Sequence, residues 1–281
     1  MRCHVVCREN SNLALRAAVA LSAFLAIVPA AGAAQCGNGP GGFNAWLQGY
    51  RARAAADGIS SGTIAAALSE AAYDTKVIGL DRNQHSFKLS FNQFYARRVD
   101  GGMINKGRRL MQTHGGTLNA IEKRFGVPGA VIVAIWGLET AYGAQSGGSF
   151  PIVRALATLA YDCRRSEFFE NQLNGALKII DRGDMSVGQM RGGWAGEIGQ
   201  TQFTPDAYFK YAVDFDGDGR RDLVRSTPDI LASTANFLKA HGWHAGQGWG
   251  EGSENYDVIR EWNKAEVYVK TISVMADQLA R

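Results

Sequence analysis

The chain has little cysteine and no apolar run long enough to cross a bilayer. Only four cysteines occur among 281 residues, with no CxxC pair and no Cys/His cluster of the zinc-binding kind, so a zinc site is not expected. The apolar run near the N-terminus, Ala17 to Val28, has 12 residues, whereas a transmembrane helix needs roughly 20. The sequence therefore predicts no stable membrane anchor.

Strong charge and strand patterns are also missing. The formal net charge is only +4 and no dense basic stripe occurs, so nucleic acid is not an expected partner. A mild positive surplus suits an anionic polymer such as a cell wall. The chain contains no repeats and no strand–helix alternation, which excludes a doubly wound sheet. Its 46% hydrophobic and 20% charged residues are typical of a globular protein.

Residues 1–34 have the pattern of a secretory signal. Three arginines precede the apolar run, and the small-residue stretch Pro29 to Ala34 follows it. Cleavage there predicts a periplasmic protein whose mature domain is residues 35–281. Gln35 stands before Cys36 where a bacterial lipoprotein needs a small residue, so no lipid at Cys36 is expected.

Removal of this leader leaves two cysteines, Cys36 and Cys163, in an oxidising compartment. Thiols tend to pair there, which predicts one disulfide between them. Two unrelated buried thiols are the alternative, because sequence does not show whether two Cα atoms lie within bridging distance.

Hydrophobic periodicity predicts a mainly helical fold. A first amphipathic helix contains Phe43 to Tyr50, and a second begins near Ser60 or Ser61 as its cap and ends near Tyr73. Further helices are predicted at 151–162, 166–181, 227–241 and 256–280. The glycine- and aspartate-rich segment 183–225 predicts loops with short strands, and Gly246 to Gly252 a surface loop. The predicted fold class is mainly α (α+β), with a helical core and a small irregular or β lobe around residues 183–226.

The most apolar segment of the mature chain ends in a carboxyl group. Pro128 is placed to start a helix, twelve uncharged residues precede Glu139, and Gly143 is placed to end the helix. A helix that is apolar all round must be buried. Desolvation and the negative end of the helix dipole both favour the neutral carboxyl and raise its pKa.

A carboxylic acid that stays protonated near neutral pH is what protonation of a glycosidic oxygen requires. Glu139 is therefore a candidate general acid. From the residues alone, the alternative is a glutamate at a helix end that lies in water or pairs with an arginine.

Two motifs resemble a known family. Gly137 to Gly143 is similar to the catalytic Glu-Thr-x-x-Gly motif of the lytic transglycosylase B family of bacterial murein enzymes. Gly192 to Pro205 is similar to the family's Gly-x-x-Ala-Gly-x-x-Gly-x-x-Gln-Phe-x-Pro stretch. The resemblance extends from about Phe43 to Arg281, nearly the whole mature chain.

The resemblance implies a lysozyme-like helical core and an enzyme acting on peptidoglycan glycan strands. In such an enzyme Glu139 donates a proton to the leaving sugar and then accepts one from the muramoyl 6-hydroxyl, which yields a 1,6-anhydro sugar without any cofactor. Ordinary glycosidases need a second carboxylate, and the sequence offers no obvious one. Glu197 is the nearest candidate, but its interpretation as a polar loop residue is favoured, since the family accepts residues without a carboxyl group there.

The resemblance also implies a substrate-binding set: Tyr95, Gly193, Gln202, Asn263 and Tyr268. Without it, an aromatic residue in a helical pattern, such as Tyr95, Trp262 or Tyr268, is more often part of the core, and the resemblance reverses this preference. Gly193 departs from the best known member of the family, which has a serine whose hydroxyl faces the catalytic glutamate. A backbone group or water must substitute for that hydroxyl here.

The stretch that begins at Asp214 matches the first nine positions of an EF-hand calcium loop, with carboxylates at positions 1, 3, 5 and 9 and glycine at position 6. Position 12, normally a bidentate glutamate, is Arg225, and the family resemblance implies that Asp229 closes the site instead. A metal-free turn is the alternative, with Asp229 complementing a helix N-terminus. The predicted ligands of this structural Ca²⁺ are Asp214, Asp216, Asp218, the Arg220 carbonyl and Asp229.

Two other functions are compatible with these residues. An ordinary muramidase would use Glu139 with water as the nucleophile. A catalytically silent wall-binding or scaffold protein would leave the glycan intact, although the presence of Glu139 together with Gln202 and Asn263 argues against it. A monomer is the default expectation for the protein, whichever of these functions it has.

Overall fold

The computed structural model describes residues 36–84, 89–146 and 148–281, so the predicted secretory signal lies outside the described residues. Within them the chain is mainly helical, with thirteen α-helices and two short strands. None of the described helices combines the length and the hydropathy needed to span a membrane. The predicted fold class is confirmed.

In chain order, the helices are α1 (Phe43–Ala56), α2 (Ser61–Ala67), α3 (Thr75–Arg82), α4 (Phe91–Arg98), α5 (Gly101–Thr113), α6 (Gly115–Phe125), α7 (Gly129–Thr140), α8 (Ile152–Tyr161), α9 (Ser166–Arg182), α10 (Pro205–Tyr211), α11 (Thr227–Ala240), α12 (Glu254–Trp262) and α13 (Glu266–Ala280). Strands β1 (Phe150–Pro151) and β2 (Arg191–Gly192) pair antiparallel, with Phe150 opposite Gly192. A 3-10 turn spans Val187–Gln189.

Helix α7 is the centre of the core. All of its residues except Glu139 are buried, as its apolar sequence predicts, and it packs against α5, α6, α11 and α13. The helix ends at Thr140, earlier than the predicted end at Gly143, because Ala141 and Tyr142 already have left-handed backbone angles. The Tyr142 ring folds back over Gly137, where a Cβ would overlap it, and this packing stops the helix.

The predicted single helix at 256–280 is wrong: two helices, α12 and α13, occupy this range. Asn263 ends α12 in an extended conformation, and its Oδ1 accepts a 3.0 Å hydrogen bond from the Ala265 amide. Asparagine side chains commonly replace helical hydrogen bonds in this way. The chain therefore bends between the helices and presents Asn263 at the break.

Other helix boundaries follow long-range contacts. The second helix stops at Ala67, not near Tyr73, since the guanidinium of Arg51 donates a 2.8 Å bond to the Leu68 carbonyl and a 3.4 Å bond to that of Ile64. The bond to Leu68 satisfies a carbonyl that helix continuation would otherwise use, whereas the Ile64 carbonyl also accepts the last helical bond, from the Leu68 amide. The predicted helices near 151, 166 and 227 are confirmed to within two residues at each end.

The predicted disulfide is confirmed. Cys36 and Cys163 are bonded, with Cα atoms 4.9 Å apart, and the bond joins the start of the described chain to the turn between α8 and α9. A sulfur in a disulfide cannot carry a lipid. Beside this turn the buried carboxylate of Asp81 forms ion pairs with Arg82, Arg164 and Arg165.

Candidate active site

A cleft of about 410 Å³ opens where the end of α7 meets the loop after β2 and the break between α12 and α13. Three residues predicted from sequence, Glu139, Gln202 and Asn263, line it together. The other lining residues are Glu197, Phe203, Thr204, Ala207, Phe237, Glu261 and Trp262. The cleft thus collects residues from widely separated parts of the sequence.

Glu139 is half-buried in the last turn of α7. Its Oε1 accepts a 2.8 Å hydrogen bond from Nε1 of Trp262. Burial raises the pKa of the Glu139 carboxyl above its ordinary value, and the charge of Glu197 raises it further. Trp262, Tyr268 and the Arg98 guanidinium oppose this and lower the pKa without cancelling the rise.

The Trp262 indole is held rigidly. Its ring meets Phe203 edge to face at 5.2 Å and Phe237 at 4.9 Å between ring centroids. Aromatic pairs in this geometry are stabilising and restrict the ring to one orientation. The Nε1–H group therefore points at the Glu139 carboxyl from a fixed position. From the helical pattern alone Trp262 is more often a core residue, and the pattern did not single out Glu261, although these two residues stand immediately before Asn263.

Gln202 and Asn263 present amide groups to the cleft. Gln202 has a left-handed backbone with φ of 53°, and its Nε2 donates a 2.8 Å bond to the Gly199 carbonyl. The Asn263 Oδ1 is used by the Ala265 amide. Among the described residues the Gln202 amide oxygen and the Asn263 amide nitrogen keep their capacity for a ligand.

Tyr268 and Tyr95 occupy different places. Tyr268 is 5% exposed, and its hydroxyl makes no hydrogen bond of good geometry with the described residues, yet it lies close enough to Glu139 to lower the pKa of that carboxyl. Tyr95 instead lines a separate cavity of about 460 Å³ beside Asp100 and Arg108. The structure does not bring Tyr95 to the Glu139 cleft.

Gly193 lies against the side chain of Glu197. A Cβ at position 193 would overlap the Glu197 carboxylate, so this carboxylate occupies the space of the missing side chain. Burial raises the pKa of the Glu197 carboxyl, while nearby backbone amides and the charge of Arg165 lower it. Glu197 is thus a cleft residue, which the sequence pattern alone did not favour.

Gln200 connects the end of α7 to the loop before α11. Its Oε1 accepts a 2.9 Å bond from Trp136 Nε1, and its Nε2 donates a 2.8 Å bond to the Val224 carbonyl. The backbone carbonyl of Gln200 accepts a 2.5 Å bond from the Thr140 hydroxyl, next to Glu139. The helix that carries the acid and the loop at 213–226 are therefore joined through one residue.

The predicted calcium loop joins α10 to α11. Oxygen atoms of Asp214, Asp216 and Asp229 lie within 4.8 Å of one another. Asp218 is not in this group; its Oδ1 accepts a 2.8 Å bond from the Arg220 amide. The buried Asp229 accepts backbone hydrogen bonds, the shortest being 2.7 Å from Phe215.

Burial raises the pKa of the Asp229 carboxyl, and the charge of Asp216 adds to this. A cluster of carboxylates with an oxygen-only donor set fits a hard cation such as Ca²⁺.

Comparisons with known proteins agree with this arrangement. Residues 42–254 match the family described as the transglycosylase SLT domain. The membrane-bound lytic murein transglycosylase B of Escherichia coli is 40% identical over 130 residues, which are 46% of this chain and 36% of that protein. The chain thus matches about a third of the length of this relative.

Solved structures are similar over most of the chain. SltB3 from Pseudomonas aeruginosa, in complex with NAG-anhNAM-pentapeptide, is 32% identical with a TM-score of 0.78, covering 85% of this chain and 79% of that one. The Escherichia coli lytic transglycosylase Slt35 in complex with calcium is 25% identical with a TM-score of 0.73, covering 83% and 92%. The chain belongs to the transglycosylase SLT domain family.

Proposed function

We propose that this protein is a peptidoglycan lytic transglycosylase that cleaves the β-1,4 bond between MurNAc and GlcNAc. The observation that carries the proposal is the half-buried Glu139, whose pKa is raised by burial, in one cleft with Gln202 and Asn263. An acid that keeps its proton near neutral pH, beside amide groups able to hold acetamido and hydroxyl groups, suits glycosidic cleavage. The lytic transglycosylases among its relatives support this function.

In the proposed reaction Glu139 first protonates the glycosidic oxygen, and the bond from that oxygen to the muramoyl C1 breaks. The resulting carboxylate then accepts the proton of the muramoyl 6-hydroxyl as O6 bonds to C1. The products are a free 4-hydroxyl on the leaving sugar and a 1,6-anhydromuramoyl end, with no water consumed. Trp262 orients the Glu139 carboxyl in both steps.

The substrate contacts are proposed for Gln202, Asn263 and Tyr268, which lie at or beside this carboxyl. Gly193 contributes by leaving room for Glu197. Tyr95, in its separate cavity, is proposed to contact a more distant part of the glycan strand.

Hydrolysis is a second candidate because of one observation: Glu197 and Glu261 line the same cleft as Glu139. A hydrolase of this kind needs a second carboxylate to activate water or attack the sugar. Glu261 is paired with Lys264 at 2.6 Å, which leaves Glu197 as the candidate partner. A hydrolytic product would carry one more water than the anhydro product.

The test is digestion of purified murein sacculi by the wild type, by Glu139→Gln and by the surface control Glu122→Gln. If the protein is a lytic transglycosylase, mass spectrometry should detect anhydromuropeptides released by the wild type and by the control. Glu139→Gln, which cannot cycle a proton, is expected to lose at least about 100-fold in rate. Reducing-end products instead would favour hydrolysis, and intact sacculi with the wild type would favour a silent wall-binding protein.

The chemistry needs no cofactor, and a structural Ca²⁺ held by Asp214, Asp216 and Asp229 is proposed for the loop between α10 and α11. The ion would neutralise clustered carboxylates and fix the two helices that carry Ala207 and Phe237 to the cleft. Asp218 and the Arg220 carbonyl are proposed to complete its shell. The protein is further proposed to act in the periplasm as a monomer.

A further inference from the structure

Glu197 is placed in the cleft by a tightly built turn. The Gly193 amide donates a 2.9 Å bond to the Glu197 carbonyl, and Ile198 and Phe203 form an antiparallel bridge directly after it. Gly192 also lies so close to the Glu197 carbonyl that a Cβ there would overlap it. This backbone fixes where the Glu197 side chain starts, independently of any ligand.

The Glu197 carboxylate is then directed into the space above Gly193. In the described part of the chain it forms no ion pair and accepts no hydrogen bond from another side chain. A glutamate on a surface turn would ordinarily extend into water. Here the carboxylate instead lies in the same cleft as the proposed acid Glu139, whose uncharged form its negative charge favours.

We propose that Glu197 is a positioning residue for Glu139: held over Gly193 in the same cleft, its negative charge favours the uncharged form of the acid. The proposal rests on the proposed glycosidic cleavage by Glu139. It also assigns a role to the glycine at position 193, which is the absence of a side chain that would displace Glu197. Residues 193 and 197 therefore act as a pair.

The groups that act on the Glu139 carboxyl through a charge or a hydrogen bond come from four elements. Arg98 on α4, Trp262 on α12 and Tyr268 on α13 all favour the carboxylate. Glu197, on the loop after β2, acts in the opposite direction, and Arg165 at the start of α9 faces Glu197. The effect of Glu197 exists at pH values above its own raised pKa, where it carries its charge.

The test compares the pH dependence of kcat/KM for the wild type and Glu197→Gln, which keeps the shape and removes the charge. The alkaline midpoint, where Glu139 loses its proton, is expected to move down by about 0.5 to 1 pH unit. Glu261→Gln is the comparison within the cleft, and its midpoint should move less because Glu261 is paired with Lys264. A purely structural role for Glu197 would change the rate and leave the midpoint in place.

The variant Gly193→Ala provides a second test of the proposal. The added methyl group must displace the Glu197 carboxylate, so the midpoint should move in the same direction, and adding Glu197→Gln should move it no further. An unchanged midpoint in Glu197→Gln overturns the proposal. A folded Glu197→Gln that is inactive at every pH also overturns it, since Glu197 would then be a reacting group.

Carboxyl ¹³C NMR of Glu139 measures the same shift without substrate. If the wild type released no muropeptides, the proposed function would be wrong. The NMR titration would still show whether Glu197 raises the pKa of Glu139.

Discussion

The indole N–H of Trp262 donates a hydrogen bond to Oε1 of Glu139 over 2.8 Å. Because an indole N–H is a donor only, Oε1 must act as the acceptor whether or not the carboxyl is protonated. Because a carbonyl oxygen is a better acceptor than a carboxyl hydroxyl, this bond favours the form with the acidic proton on Oε2. One donor thus favours delivery of the proton from one oxygen of the carboxyl.

Replacing Trp262 by phenylalanine should lower kcat by about 10-fold or more, because the carboxyl loses its fixed orientation. The lost hydrogen bond favoured the carboxylate, so the pKa of Glu139 rises further and the alkaline limb of the pH–rate profile moves to higher pH. This is opposite to the shift expected for Glu197→Gln. Trp249→Phe is the matched control, and a benzothienylalanine residue at 262 keeps the ring without the N–H group.

An unmoved alkaline limb in both Trp262 variants would show that the hydrogen bond does not act on the acid.

Glu139→Gln is expected to stabilise the protein at neutral and alkaline pH. The folded pKa of Glu139 lies above its unfolded value, so the folded state binds more protons and stability falls as pH rises through that window. Glutamine does not titrate, so the variant should not lose stability in this pH range. Thermal unfolding should show a higher Tm for the variant near about pH 8 and no difference below about pH 4, where both states are protonated.

The Glu122→Gln control should show no such pH-dependent difference. A Tm for Glu139→Gln at or below that of the wild type at alkaline pH would contradict the idea that the acid is held in an unfavourable environment.

Calcium removal should affect stability more than chemistry. Chelation with EDTA is expected to lower Tm, and added CaCl₂ should restore it, with a stabilisation of about 2.7 kcal/mol when free Ca²⁺ is about 100 times Kd. The double variant Asp214→Asn with Asp216→Asn should lose this response, whereas Asp277→Asn on the exposed face of α13 should keep it. Identical calorimetric curves with and without EDTA would argue for a metal-free turn.

The disulfide is expected to increase the free energy of unfolding by lowering the entropy of the unfolded chain. It joins residues 127 positions apart, and closing a loop of this length in the unfolded chain contributes about 3 to 5 kcal/mol. The variant Cys36→Ser with Cys163→Ser should unfold at correspondingly lower urea. Neither cysteine lines the cleft, so cleavage at room temperature should persist. Equal unfolding midpoints for the variant and the wild type would refute this contribution.

The sequence was sufficient where local pattern decides the structure. The apolar run before Glu139 predicted a buried helix with a carboxyl group of raised pKa, and the structure has both. Two isolated cysteines predicted the disulfide. These features can be predicted from hydrophobic periodicity, the position of one charged residue and the oxidising compartment alone.

The sequence was insufficient where distant contacts decide. Periodicity continues smoothly across Asn263, so it predicted one helix where the asparagine side chain creates two. The role of Glu197 depends on its overlap with the space above Gly193, which no spacing rule reports. Trp262 gains its position from Phe203 and Phe237, partners from two other segments.

Gln200 couples the loop at 213–226 to the acid. Its side-chain amide bonds Trp136 and the Val224 carbonyl, and its backbone carbonyl accepts a bond from Thr140 in the last turn of α7. We therefore expect a shift of that loop to reach this turn. A variant selected only for heat resistance through changes near Val224 would therefore alter proton delivery at Glu139 as well. Changes at Gln200 or its partners are therefore expected to alter thermal stability and catalytic rate together.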